Sequence, residues 1–241
     1  AYIAKQATTG NAPTNATYWN QFAQGSGGIW NAGLSLGSAG QVVKVNSGGS
    51  ALEFGSVSSD FVKIASTQND SLGAGSVTFQ SAFDNTTYHS YQLHWVASTD
   101  SGNDFKMRLL NSSNNVLTGS NDYRRAGGQQ YRYYTDNSND NTSSWSDADG
   151  TNAIHVTGWN GSGNSNQTQS GVINFLMPKP NSSTIFHNIR LESGGYSTGN
   201  WLYNSHAQWL YTGNNVVTGF IMYLDAGNFA RCYFNLYGLK K

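Results

Sequence analysis

Residues 216–239 read VVTGFIMYLDAGNFARCYFNLYGL, two short hydrophobic runs separated by Asp225-Ala226-Gly227-Asn228. In the second run Ala230, Cys232, Phe234 and Leu236 share one face, and Arg231, Tyr233, Asn235 and Tyr237 share the other. A period of two belongs to a strand, whose successive side chains point to opposite faces. Gly and Asn in the connection tolerate positive φ, so the segment is expected to be a β-hairpin closing a sheet of a β-sandwich. Its polar face is expected to be structural.

The composition points the same way. Only 11% of the 241 residues are charged, against about 25% in an average soluble domain. Hydrophobic residues make up 37% and aromatics 13%, and the formal net charge is zero. Disordered chains combine few aromatics with high net charge, so this chain is expected to fold. Tyr- and Trp-rich strands joined by polar turns suit an all-β protein. Zero net charge argues against a nucleic-acid partner, because phosphate binding needs a cationic excess. No window approaches the roughly 18 consecutive apolar residues of a spanning helix, so no membrane insertion is expected. The single cysteine, Cys232, excludes an internal disulfide framework. The chain opens on Ala1-Tyr2 in mid-run, without a secretory leader, and is expected to be a fragment or a processed product.

From Asp60 onward, short alternating runs lie between turn clusters such as Asp-Asn-Thr-Thr and Asn-Ser-Ser-Asn-Asn. Strands are expected near 61–66, 76–83, 88–97, 104–110, 129–135, 153–157, 171–177, 184–191, 216–224 and 229–237. Strands so spaced argue a sandwich or barrel, and residues 58–241 have the length of a jelly-roll-like head with loops crowding one end. Ahead of it, residues 25–57 place Ile29, Trp30, Leu36, Val43, Val45, Leu52 and Phe54 between Gly and Ser. Flexible linkers lack such spaced hydrophobics, so this neck is expected to be extended β structure needing partners from other chains.

Three resemblances follow from these residues. The run GSAGQVVKVNSGGSALEF, residues 37–54, closely resembles a segment recurrent in bacteriophage tail-fibre proteins. There it lies in the stalk or neck before a receptor-binding head, and the fibres are homotrimers, so the resemblance implies a trimer here. The ending, with Phe-Asn-Leu-Tyr-Gly-Leu-Lys at 234–240, is similar to the β-sandwich at the C-terminus of many phage fibre proteins. Residues 1–24, with Tyr2, Ala4, Pro13 and Trp19, resemble the second half of a family 5/12 carbohydrate-binding module of the chitin-binding type. The first half of that module is absent from this chain, and Tyr2 and Trp19 also read as the core of a structural mini-module.

Chemical motifs are sparse. Asp136, Ser138, Asp140, Thr142, Ser144 and Asp147 occupy the ligand positions of a helix-loop-helix calcium loop. Asn141 replaces its turn glycine, its bidentate Glu is missing, and no amphipathic helices flank it. Gly33-Leu34-Ser35-Leu36-Gly37 matches the hydrolase nucleophile string but lies in a Gly/Ser segment rather than at a strand-to-helix turn. His89, His94, His155, His187 and His206 have no metal-binding spacing, and polar strand faces account for the first three. Asp147 and Asp149 are the best carboxylate pair for glycoside cleavage, and neighbouring turn carboxylates are common. No catalytic residue, metal or cofactor is therefore expected.

The remaining signal is aromatic. Two polar excursions, residues 136–152 and 158–170, carry Trp145 and Trp159. Beside them stand Tyr131, Tyr134, Arg124, Arg125 and Asp147, and Trp201 and Trp209 belong to a second cluster. Sugar C–H faces pack on aromatic rings while amides, carboxylates and guanidinium groups bond the hydroxyls. Tyr131 reads equally as sandwich core or trimer interface. The chain is thus expected to be a phage virion protein, a trimeric tail fibre on the outer surface of the particle. It would join other tail proteins and hold host cell-surface polysaccharide without chemistry. A structural connector, a head-fibre or decoration protein, a glycan-degrading tailspike and a secreted lectin are the alternatives.

Overall fold

The computed structural model of the chain describes residues 2–12, 15–21, 37–57, 59–69, 73–100, 105–120, 122–133, 140–146, 151–157, 168–176, 187–196 and 201–241. Every helix or strand element among them is a strand. In chain order these are β1 (Tyr2–Ala4), β2 (Trp19–Gln21), β3 (Gln41–Val45), β4 (Leu52–Ser56), β5 (Phe61–Asn69), β6 (Ser76–Phe79), β7 (Tyr88–Thr99) and β8 (Phe105–Asn111). There follow β9 (Tyr123–Tyr133), β10 (Asp140–Ser146), β11 (Ile154–His155), β12 (Gln169–Leu176), β13 (His187–Tyr196), β14 (Trp201–Tyr211), β15 (Val217–Leu224) and β16 (Phe229–Lys240). The fold class is all-β, with antiparallel sheets.

The chain divides into two units, Ala1–Ser59 and Asp60–Lys241. The first holds two small sheets, β1 with β2 and β3 with β4. The second is a sandwich of an eight-stranded sheet, ordered β10-β9-β14-β13-β12-β7-β16-β5, and a four-stranded sheet, ordered β11-β8-β15-β6. Aromatic pairs cross between the layers. Trp95 of β7 meets Phe105 of β8 edge-on at 5.1 Å, and Phe175 of β12 meets Phe220 of β15 at 5.0 Å. Phe79 of β6 meets Phe234 of β16 at 6.4 Å. Such contacts contribute about 0.5–1.5 kcal/mol each beyond the area they bury.

The closing stretch is not a hairpin. β15 pairs with β8 and β6 in the smaller sheet, whereas β16 lies between β7 and β5 inside the larger one. The connection Asp225–Asn228 is an arch from one layer to the other. Backbone on either side of it is held by one neighbouring segment: Leu224 donates to the Gly75 carbonyl at 2.9 Å and Phe229 to that of Ala74 at 3.0 Å. Gly227 supplies a left-handed residue, φ 75°, to make the turn. Alternation reports that each strand has one buried face; it does not report which layer the strand joins. The inward set also differs by one residue. A register shift between Phe229 and Arg231 puts Phe229 in the core, while Cys232, Phe234 and Leu236 keep their expected places. Gly219 marks a second irregularity in β15: a Cβ there would lie 2.2 Å from the Phe79 carbonyl oxygen.

Two strands escape the alternation rule. In β14 the inward positions Tyr203, Ser205, Ala207, Trp209 and Tyr211 include a serine, and the outward ones include Leu202 and Leu210, which blurs the pattern. In β10 the sequence DNTSSWS is almost wholly polar, and the strand forms by pairing its backbone with β9 at the sheet's edge.

Candidate functional site

The aromatic candidates scatter. Trp209 is 1% exposed, a core residue of the sandwich rather than a sugar platform, and the Arg125 guanidinium lies 5.6 Å from its ring centre. His155 stacks on the same indole at 6.3 Å and is half-buried, so it is not a polar-face residue. Arg124, one residue before Arg125, is exposed, as alternation along β9 requires. Tyr131 is the register partner of Tyr203 on one side and Asn141 on the other, and Trp201 that of Tyr133. Trp145 belongs to β10, opposite Gly127, and not to a loop. Tyr134, Asp147 and Trp159 lie outside the described residues.

The calcium reading fails on backbone shape. Asp140 opens an extended strand in which alternate residues are separated by about 6.6 Å, whereas a calcium loop must curl its oxygens to about 2.4 Å from one ion. Asp136 lies outside the described residues, and among those described no three metal-ligating side chains converge.

The neck candidates do come together. In the β3–β4 hairpin Val43 pairs with Phe54 and Val45 with Leu52, so these four side chains share one face. Val43 is 38% and Val45 60% exposed, with Leu52 and Phe54 half-buried. The opposite face carries Lys44 and Glu53, paired at 3.2 Å. Ile29, Trp30 and Leu36 lie outside the described residues. In the opening unit Ala4 pairs with Trp19, whose indole donates to the Asn11 carbonyl at 3.1 Å, while Tyr2 is 40% exposed; Pro13 is outside the described residues.

Among the described residues, a recess of the sandwich unit lies where no loop is needed. On the outer face of the larger sheet, β12, β7 and β16 run side by side, and two rows of register partners cross them. One row is Ser170, Val96 and Tyr233; the next is Val172, His94 and Asn235. Together they line a groove of about 300 Å³. The footprint of two rows on three strands is about 10 Å by 7 Å. None of its lining residues carries a formal charge if His94 is neutral.

A polar chain flanks this groove. His94 Nε2 lies 2.7 Å from Gln92 Oε1, and Gln92 Nε2 donates to Asn174 Oδ1 at 2.8 Å. The His94 ring also stands edge-on to Tyr237 at 5.6 Å, and Tyr237 stacks on Phe61 at 4.8 Å. Asn235 Oδ1 is enclosed and has no hydrogen-bond partner among the described residues. Beyond Val172 the same row continues to Glu192, which is ion-paired with Arg190 at 2.7 Å. The alternation in residues 229–237 had already put Tyr233 and Asn235 on one face; the neighbours β7 and β12 could not be read from it. Compared with protein-family models, curated proteins and solved structures, the chain matches none of them.

Proposed function

We propose that this chain is part of a bacteriophage tail fibre: a trimeric, non-enzymatic virion protein whose jelly-roll-like head adheres to host surface polysaccharide. The observation that carries the proposal is the single apolar face of the β3–β4 hairpin, formed by Val43, Val45, Leu52 and Phe54. A lone two-stranded hairpin is marginal in water, and three copies can bury these faces against one another. The hairpin, β3 (Gln41–Val45) and β4 (Leu52–Ser56), overlaps residues 37–54, the segment that resembles phage fibre necks. Three heads on one neck would multiply weak single-site sugar contacts by raising the effective concentration of the second and third.

The test is adsorption of the purified chain to host cells before and after periodate oxidation of their surface sugars. The proposal expects binding that periodate removes, from a species of three times the 26.1 kDa chain mass. Periodate-resistant binding, or a folded monomer, overturns it. A virion connector is the second reading. It is favoured by Leu176 and Leu202, 40% and 55% exposed on the outer sheet face, where a protein partner could cover them. Binding to other virion proteins with no adsorption to cells would select it.

A further inference from the structure

We infer that the groove on β12, β7 and β16 is a subsite for an uncharged pyranose residue that donates its hydroxyl hydrogens to the protein. The inference rests on the adhesion reading and names the ligand class and the place.

The direction of the hydrogen bonds carries it. An amide oxygen only accepts, so the contact with Gln92 Oε1 requires His94 Nε2 to hold the hydrogen. In the neutral ring Nδ1 is then a lone-pair acceptor, and it has no hydrogen-bond partner among the described residues. Gln92 spends its own amide hydrogen on Asn174 and so holds the imidazole in that tautomer. Asn235 Oδ1, enclosed beneath the surface, is not open to a ligand. An exposed acceptor on His94, beside a Ser170 hydroxyl that can donate or accept, suits a ligand rich in O–H groups.

Charge and shape narrow the class. No Lys or Arg lines the groove, and Glu192 stands next to Val172 in the same row, with its charge partner Arg190 turned to it. A uronate, sialate or phosphate would find no cation in the groove lining to pair with its charge. Val96, Val172 and the half-buried Tyr233 offer apolar surface to the C–H face of a sugar ring. The footprint of the two rows accommodates one pyranose.

The test uses the full chain with 15N-labelled histidine and two sets of oligosaccharides, one ending in glucose, galactose or mannose, the other in uronic or sialic acid. A neutral sugar is expected to move the His94 Nδ1 resonance. Val96→Trp, which fills the groove from a position 38% exposed, is expected to weaken that sugar by about tenfold or more, equivalent to about 1.4 kcal/mol. Ser170→Tyr blocks the other end from an exposed position and guards against a folding defect in the first variant. Equal binding by both folded variants, or preference for the acidic set, overturns the groove. If host cells bind in a periodate-sensitive way while no neutral sugar reaches His94, the groove falls and the adhesion reading stands. If neither cells nor sugars bind, both fall.

Discussion

The hydroxyl of Tyr123, on β9 of the larger sheet, accepts the amide hydrogen of Leu109, on β8 of the smaller sheet, at 3.0 Å. The same hydroxyl donates to the Leu117 carbonyl at 3.0 Å, and the whole side chain is buried. One side chain thus ties the two layers together. Burial raises its pKa above the ordinary tyrosine value, which keeps the donor hydrogen in place. Tyr123→Phe is expected to cost about 1–3 kcal/mol by stranding two buried backbone groups. Denaturant unfolding checks it; an unchanged midpoint would show the bridge to be dispensable.

Trp209→Ala should act on stability and not on recognition. Removing a fully buried indole is expected to cost about 3–5 kcal/mol, with no change in the sugar affinity of the molecules that remain folded. Urea unfolding gives the first quantity and titration at low temperature the second. A selective loss of affinity would return Trp209 to the binding site.

Asp84 supplies a pH dependence whose sign can be worked out. Its Oδ1 accepts the Thr86 amide at 2.9 Å and the Thr86 hydroxyl at 2.6 Å, and bonds from Thr86 and Thr87 lower its pKa from 3.8 to about 2. The folded state therefore holds this proton less tightly than the unfolded state does. The stabilisation is complete above 3.8 and is lost as pH falls toward about 2. Asp84→Asn should flatten the fall in melting temperature over that interval. A wild-type slope in the variant would exclude Asp84 as its source.

Cys232 lies at 0% exposure in the core face of β16, and burial pushes its thiol up to about 11. The thiolate is the reactive form. Iodoacetamide at mildly alkaline pH should leave the folded chain unlabelled and modify it once guanidinium has unfolded it. Mass spectrometry decides, and rapid labelling of the native protein would contradict the burial.

Val45→Asp places a carboxylate on the apolar hairpin face opposite Leu52. If that face joins subunits, light scattering should show the mass fall toward one chain while the sandwich keeps its melting temperature. An intact trimer would move the interface elsewhere.

What was legible in the sequence differs by element. Phe234, Cys232 and Leu236 could be assigned to a core because alternation is written into the chain itself. β10 was not legible, since an edge strand of Ser, Thr and Asn is held by backbone bonds that no side chain announces. Trp209 was misread as a surface aromatic because its strand mixes Ser205 and Ala207 among the inward positions. The groove was half legible: Tyr233 and Asn235 shared a face on paper, but His94 and Ser170, far away in the chain, had no reason to join them.

The sequence by itself determined that this is an all-β protein, where most of its strands run, and which side of the last strand is apolar. These follow from local stereochemistry, because successive side chains of a strand must point to opposite faces. Only the tertiary structure decided that residues 216–239 arch between two layers, with β15 in one sheet and β16 in the other. Layer membership depends on pairing with β8, β6, β7 and β5, distant in the chain, and on the shared support of residues 74–75. Period-two alternation is the same in either sheet, so it carries no information about that choice.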